Sequence, residues 1–160
     1  MKILLIIAVT ILAVGCKDPN RHEPELDHRV EEGEEITYLR GTNTLFTGTQ
    51  VTYSDGRKSF ETNYKDGKLD GFSTYRIGEW LTSQTNYKDG KRDGLQTYWY
   101  ENGQKSREPT YKDGQKDGLS LGWHENGQKK WEANYKDGKS ISEKYFNNKG
   151  ELTREYPSKD

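Results

Sequence analysis

One four-residue string governs what this chain can fold into. Tyr64-Lys65-Asp66-Gly67 returns as Tyr87-Lys88-Asp89-Gly90, Tyr111-Lys112-Asp113-Gly114 and Tyr135-Lys136-Asp137-Gly138, at spacings of 23, 24 and 24 residues. A fixed period of this length marks an array of one supersecondary unit that buries its core against its neighbours. Three copies run on to a second Asp-Gly: Asp70-Gly71, Asp93-Gly94 and Asp117-Gly118. Midway between copies fall Asp55-Gly56, Asn102-Gly103 and Asn126-Gly127, with Gly78 in the corresponding place. Such dipeptides favour positive φ at both central residues of a tight hairpin loop. Each unit therefore reads as two strands, and the array as about four hairpins. The glycines have a structural account: Gly67, Gly90, Gly114 and Gly138 permit a left-handed turn, and Gly71, Gly94 and Gly118 a close backbone approach.

Alternation along the strands predicts two faces. The apolar set takes Thr49, Val51 and Tyr53; Phe72, Thr74 and, as an exception, Arg76; Leu95, Thr97 and Trp99; and Leu119, Leu121 and Trp123. Counting back from each Tyr-Lys-Asp-Gly adds Tyr64 with Phe60, Tyr87 with Thr85, Tyr111 with Pro109, and Tyr135 with Ala133 and Trp131. The other set, expected to face water, takes Gln50, Thr52, Ser73, Gln96, Ser120, Glu61, Gln84, Glu108 and Glu132. It is interrupted by Tyr75, Tyr98 and Tyr100, which makes these three the candidate partner-binding residues.

Only 29% of residues are hydrophobic and 32% are charged, too little apolar material for a large three-dimensional core. Aromatics nevertheless make up 12%, which argues against disorder. A single-layer antiparallel meander of repeated β-hairpins reconciles the two, with nearly one-dimensional stability. Ile36 to Gly48 reads as a first cap, and a last hairpin through Asn148-Lys149-Gly150 to Tyr156 as the second.

Ahead of the array, Lys2 precedes an apolar run from Ile3 to Val14, broken by Thr10 and closed by Gly15-Cys16. This is the layout of an export signal, and it is too short to cross a bilayer core needing roughly twenty apolar residues. Residues 17–35 then hold three basic and eight acidic side chains, with Pro19 and Pro24. That composition predicts a flexible acidic tether. Beyond it basic and acidic residues are nearly balanced and interleaved, which argues against nucleic-acid binding. The resulting division is 1–15 signal peptide, 16–35 tether, 36–156 repeat domain and 157–160 frayed tail.

Leu12-Ala13-Val14-Gly15-Cys16 resembles the bacterial lipobox, with its leucine four residues before the cysteine and Ala13 in the usual place. The resemblance implies thioether attachment of diacylglycerol to Cys16, cleavage before it and anchoring to a membrane of the cell envelope. Tyr-Lys-Asp-Gly-Lys-x-Asp-Gly, an aromatic strand and Glu-Asn-Gly-Gln resemble the bacterial variant of the MORN repeat over residues 41–156. Leu45-Phe46-Thr47-Gly48 resembles the opening of the YwqK-type family, whose members carry an antitoxin label. These resemblances imply an antiparallel hairpin meander and a role in protein or lipid-surface interaction, without catalytic residues or cofactor.

The residues themselves offer little chemistry. His22 and His28 fall in the expected tether and His124 beside a hairpin turn, and with Cys16 committed to lipid no nucleophile, base or metal set converges. The paired carboxylates of Asp66-Gly67-Lys68-Leu69-Asp70-Gly71 suggest calcium. They lack the six to eight oxygens of a calcium loop, and Lys68, Lys91 and Lys116 add positive charge, so turn chemistry explains them better. The sequence thus points to a lipid-anchored scaffold, not an enzyme, holding a protein partner near Tyr75, Tyr98 and Tyr100. A glycan or cell-wall binder and a YwqK-type antitoxin or immunity protein are the alternatives.

Overall fold

The computed structural model describes residues 25–157; Cys16, the signal-like segment, His22 and the last three residues of the expected tail lie outside them. Every regular element described is a strand. β1 (Leu26–Glu31) and β2 (Glu34–Leu39) form a separate antiparallel hairpin. The array supplies β3 (Gly48–Ser54), β4 (Arg57–Lys65), β5 (Lys68–Ile77), β6 (Trp80–Lys88), β7 (Lys91–Trp99), β8 (Lys105–Glu108), β9 (Thr110–Lys112), β10 (Gln115–Lys116), β11 (Gly118–Trp123), β12 (Lys129–Lys136), β13 (Lys139–Phe146) and β14 (Leu152–Tyr156). These twelve make one open antiparallel meander from β3 to β14, the all-β hairpin ladder that the period predicts. β8 and β9 are one returning strand cut at Pro109, which has no N–H to donate to the ladder. Its carbonyl still accepts the Gln96 N–H at 3.0 Å.

The Tyr-Lys-Asp-Gly loops have positive φ at both central residues, 49° and 78° at Asp66 and Gly67 in the first copy. Asp55-Gly56 adopts the same loop, at 51° and 73°. The Asn-Gly loops do not, contrary to expectation: only Gly103 and Gly127 have positive φ there. A longer loop is closed instead by the Gly103 N–H on the Tyr100 carbonyl at 2.9 Å, and the Asn102 Oδ1 accepts the Gln104 N–H at 3.0 Å. The asparagine thus acts as a side-chain turn mimic rather than as a left-handed residue.

The two faces are sorted differently from the reading above. Each repeat tyrosine lies across from a glycine: Tyr64 from Gly48, Tyr87 from Gly71, Tyr111 from Gly94 and Tyr135 from Gly118. The tyrosines therefore share a side with Gln50, Ser73, Gln96 and Ser120, and with Tyr75 and Tyr98. Their side is opposite to that of Phe72, Leu95 and Leu119. That side is the buried one: Gln96 is 8% exposed, Thr85 6% and Ser120 0%, whereas Phe72, Leu95 and Leu119 are 49%, 47% and 47% exposed. Val51 alone among the outgoing apolar residues of the open side is buried. Large rings on either side of Thr85, Gln96 and Ser120 cover these small polar side chains, so they are the buried residues of this face.

The expected tether is also corrected in part. Residues 26–31 of it are β1, joined to β2 by a tight loop at Glu32 and Gly33, with φ of 51° and 84°. Its charges are held locally. Arg29 sits 4.5 Å from the Tyr38 ring centre, the Tyr38 hydroxyl donates to Glu31 at 2.8 Å, and Lys68 pairs with Glu34. The hairpin docks on the first repeat through three backbone bonds. Thr37 N–H donates to Gly67 C=O at 2.7 Å, Gly67 N–H to Phe46 C=O at 2.8 Å, and Phe46 N–H to Thr37 C=O at 2.9 Å. Ile36, Tyr38 and Phe46 are buried there, and Phe46 meets Tyr64 edge to face at 5.6 Å. This is the cap expected from Ile36 to Gly48, extended backward by one strand.

Candidate interaction surface

Strand pairing places one residue from each successive strand in a single row across the tyrosine side of the sheet. Partner by partner it runs Phe60, Tyr75, Ser83, Tyr98, Arg107, Gly122, Trp131, Tyr145, Arg154. Four neighbouring pairs in the row touch. Phe60 and Tyr75 stack with centres 4.5 Å apart, the Arg107 guanidinium lies 3.9 Å from the Tyr98 ring centre, and Arg154 lies 4.7 Å from that of Tyr145. Trp131 lies over Gly122, where a Cβ would fall 2.2 Å from the indole Nε1. Cross-strand ring and ring–cation pairs of this kind each stabilise a sheet by about 0.2–1 kcal/mol.

A second row follows the turn side of the same face. Arg92 lies 4.2 Å from the Tyr111 ring centre, and the Lys116 ammonium 4.6 Å from that of Tyr135. Burial pushes the phenols of Tyr64 and Tyr87 above the ordinary tyrosine range. Between the two rows lie Thr62 and Ser73, hydrogen-bonded at 3.0 Å, and Thr85, which accepts from the Gln96 amide at 2.9 Å. The Glu143 carboxyl is held below its ordinary range by the Tyr145 hydroxyl, which donates to it at 2.7 Å.

Of the three tyrosines singled out by sequence, Tyr75 and Tyr98 stand in the row and Tyr100 does not. The Tyr100 hydroxyl donates to the Trp123 carbonyl at 2.7 Å, and the Tyr100 carbonyl accepts from Trp80 Nε1 at 2.9 Å. It stitches hairpin tip to hairpin tip, as Asn102 does by donating to the Glu125 carbonyl at 2.9 Å. The turn aspartates have a matching task. The Asp70, Asp93 and Asp117 carboxylates each reach the N–H of the next repeat's Asp89, Asp113 or Asp137, all at 3.4 Å. Lys136 also pairs with Asp117 at 2.9 Å, and its hydrogen bond, with that of the Asp137 N–H, lowers that carboxyl's pKa.

On the opposite face Trp99 and Trp123 alternate with lysines. Lys105 is the cross-strand partner of Trp99 and lies 6.0 Å from the Trp123 ring centre, and Lys129 lies 5.6 Å from that of Phe146. Each lysine also bonds a glutamate three residues on, Glu108 or Glu132.

Sequence reasoning missed Arg107 and Arg154, and it placed Phe60 and Trp131 with the apolar set. The available signal was a spacing: Tyr98 to Arg107, Gly122 to Trp131 and Tyr145 to Arg154 each span nine residues, a hairpin's reach including one bulged residue.

Fold and surface together define a single-layer ladder of β-hairpins with a row of rings and guanidinium groups across one face. No protein-family model matches the chain, and no curated protein matches it.

Proposed function

We propose that this chain is a lipoprotein of the bacterial cell envelope, anchored through Cys16, whose hairpin ladder binds a protein partner and performs no catalysis. The row of rings and guanidinium groups that includes Tyr75 and Tyr98 carries this reading. It continues over nine strands, from Phe60 to Arg154. Aromatic and arginine side chains are the residues most enriched at the energetic centres of protein interfaces. The glycan alternative has less support, because Arg107, Arg92, Lys116 and Arg154 already occupy ring faces on which a sugar would stack.

Two measurements test the reading. Protein purified from its own membranes should have an intact mass that begins at Cys16 and includes diacylglycerol, and a Cys16→Ser variant should lose detergent partitioning. An unmodified full-length mass would remove the anchor. In cross-linking on intact cells, a Tyr75→Ser, Tyr98→Ser double variant should lose the specific adduct that the native chain forms. Equal cross-linking by both would end the assignment of this face.

A further inference from the structure

Among the described residues three arginines are paired with acids: Arg29 with Asp27, Arg40 with Glu25 and Arg57 with Glu79. Arg107 and Arg154 differ. Both are exposed, each guanidinium carbon lies over a tyrosine ring at 3.9 or 4.7 Å from its centre, and neither has a carboxylate within ion-pair distance among the described residues. A guanidinium held over a ring by its positive charge keeps N–H groups open to solvent, and their fork can take a carboxylate in two parallel bonds. Arg92 and Lys116 share this face with them, and the Glu143 carboxylate beside Arg154 is engaged by the Tyr145 hydroxyl.

The spacing adds specificity. From Arg107 the row passes Gly122, Trp131 and Tyr145 to Arg154, four strand steps. At about 4.8 Å per step the two arginines stand about 19 Å apart. An extended peptide rises about 3.3 Å per residue, so acids about six residues apart would meet both.

We propose that this row receives an extended acidic segment of a protein partner, its carboxylates seated on Arg107 and Arg154 and a central apolar side chain against Trp131. This rests on the reading of the face as a protein-binding surface and supplies the chemistry of the partner.

The test is fluorescence anisotropy with the full, detergent-purified chain and a labelled peptide, Glu-Glu-Ser-Gly-Phe-Gly-Ser-Glu-Glu, beside its all-Gln analogue and polygalacturonate. The acidic peptide should bind at least about tenfold more tightly than the Gln analogue, because a charge-assisted hydrogen bond is stronger than a neutral one. The preference should shrink from 50 to 500 mM salt, on the order of a threefold fall in screening length. Arg107→Gln with Arg154→Gln should abolish it, and Arg57→Gln should not. Equal binding of the two peptides, an unchanged double variant, or binding of polygalacturonate alone would each overturn the proposal. A cross-linked partner that depends on Tyr75 and Tyr98 but not on the two arginines would overturn it too, while leaving the protein-binding reading in place.

Discussion

Gly122 lies directly across from Trp131, and a methyl group added to Gly122 would sit 2.2 Å from the indole Nε1 and 2.4 Å from Cε2. Gly122 has no positive φ, so its lack of a side chain serves the indole and not the backbone. Gly122→Ala must push Trp131 out of the row, at about 1–3 kcal/mol for overpacking. In urea denaturation the Gly122→Ala, Trp131→Leu double variant should recover part of that loss. Strict additivity of the two changes would show that the indole does not rest on this glycine.

The turn glycines should fall into a graded series. Gly56 and Gly67 have nearly the same φ, 73° and 78°, and a Cβ on Gly56 meets nothing within 4 Å. On Gly67 it would lie 2.9 Å from both the Ile36 Cγ2 and the Thr37 carbonyl oxygen. Gly56→Ala then carries only the left-handed penalty, about 1–2 kcal/mol. Gly67→Ala adds overpacking of the cap, about 1–3 kcal/mol more. Hydrogen exchange should show the excess as loss of protection at Thr37 and Phe46. Equal losses at the two glycines would mean that the β1–β2 hairpin is not docked on the first repeat.

These glycines also mark where the sequence was legible. The 23-to-24 residue period sufficed for the hairpins of the array and the open meander, because each turn carries its own local chemistry. The side on which each residue falls was not legible, because every unit breaks register twice. One break is the residue inserted near the hairpin tip, Ser106 between Arg107 and Lys105 opposite Tyr98 and Trp99. The other is at the second Asp-Gly, where Thr85 and Tyr87 face Gln96 and Arg92. Alternation cannot be counted through a bulge. Tyr75 and Tyr98 were found because they stand out among polar neighbours. Arg107 and Arg154 look like ordinary surface charges until pairing sets them on rings. The first hairpin was hidden because its turn, Glu32-Gly33, sits within a run of acids.

Ser120 offers a substitution that should stabilise. It is fully buried, across from Ala133, and its hydroxyl has no hydrogen-bond partner among the described residues. Removing a buried, unpaired hydroxyl gains back its desolvation penalty, about 1–3 kcal/mol. Ser120→Ala should therefore raise the urea midpoint, and Ser120→Val, which adds volume beneath the ring rows, should lower it. A lower midpoint for the alanine variant would mean that the hydroxyl is satisfied in solution.

Acid should loosen the ladder along its charged links before its core. The Lys68 ammonium lowers the Glu34 pKa, Lys136 lowers that of Asp117, Lys129 that of Glu132, and the Tyr145 hydroxyl that of Glu143. A carboxyl whose folded pKa lies below its unfolded value stabilises the fold above the unfolded value. That contribution is lost as pH falls through the folded one. Thermal midpoints should therefore hold from neutral pH down to about pH 5 and decline below it, through the ordinary carboxylate range near 4. The lysine partners Lys68 and Lys136 are raised, so their share is present below the unfolded lysine pKa and fades only as pH climbs through the folded value, far from this window. Asp117→Asn removes both the Lys136 pair and the charge on the Asp137 N–H, and should flatten the acid limb of the midpoint curve. Unchanged steepness in that variant would place the acid sensitivity elsewhere, with Glu34→Gln the next substitution to make.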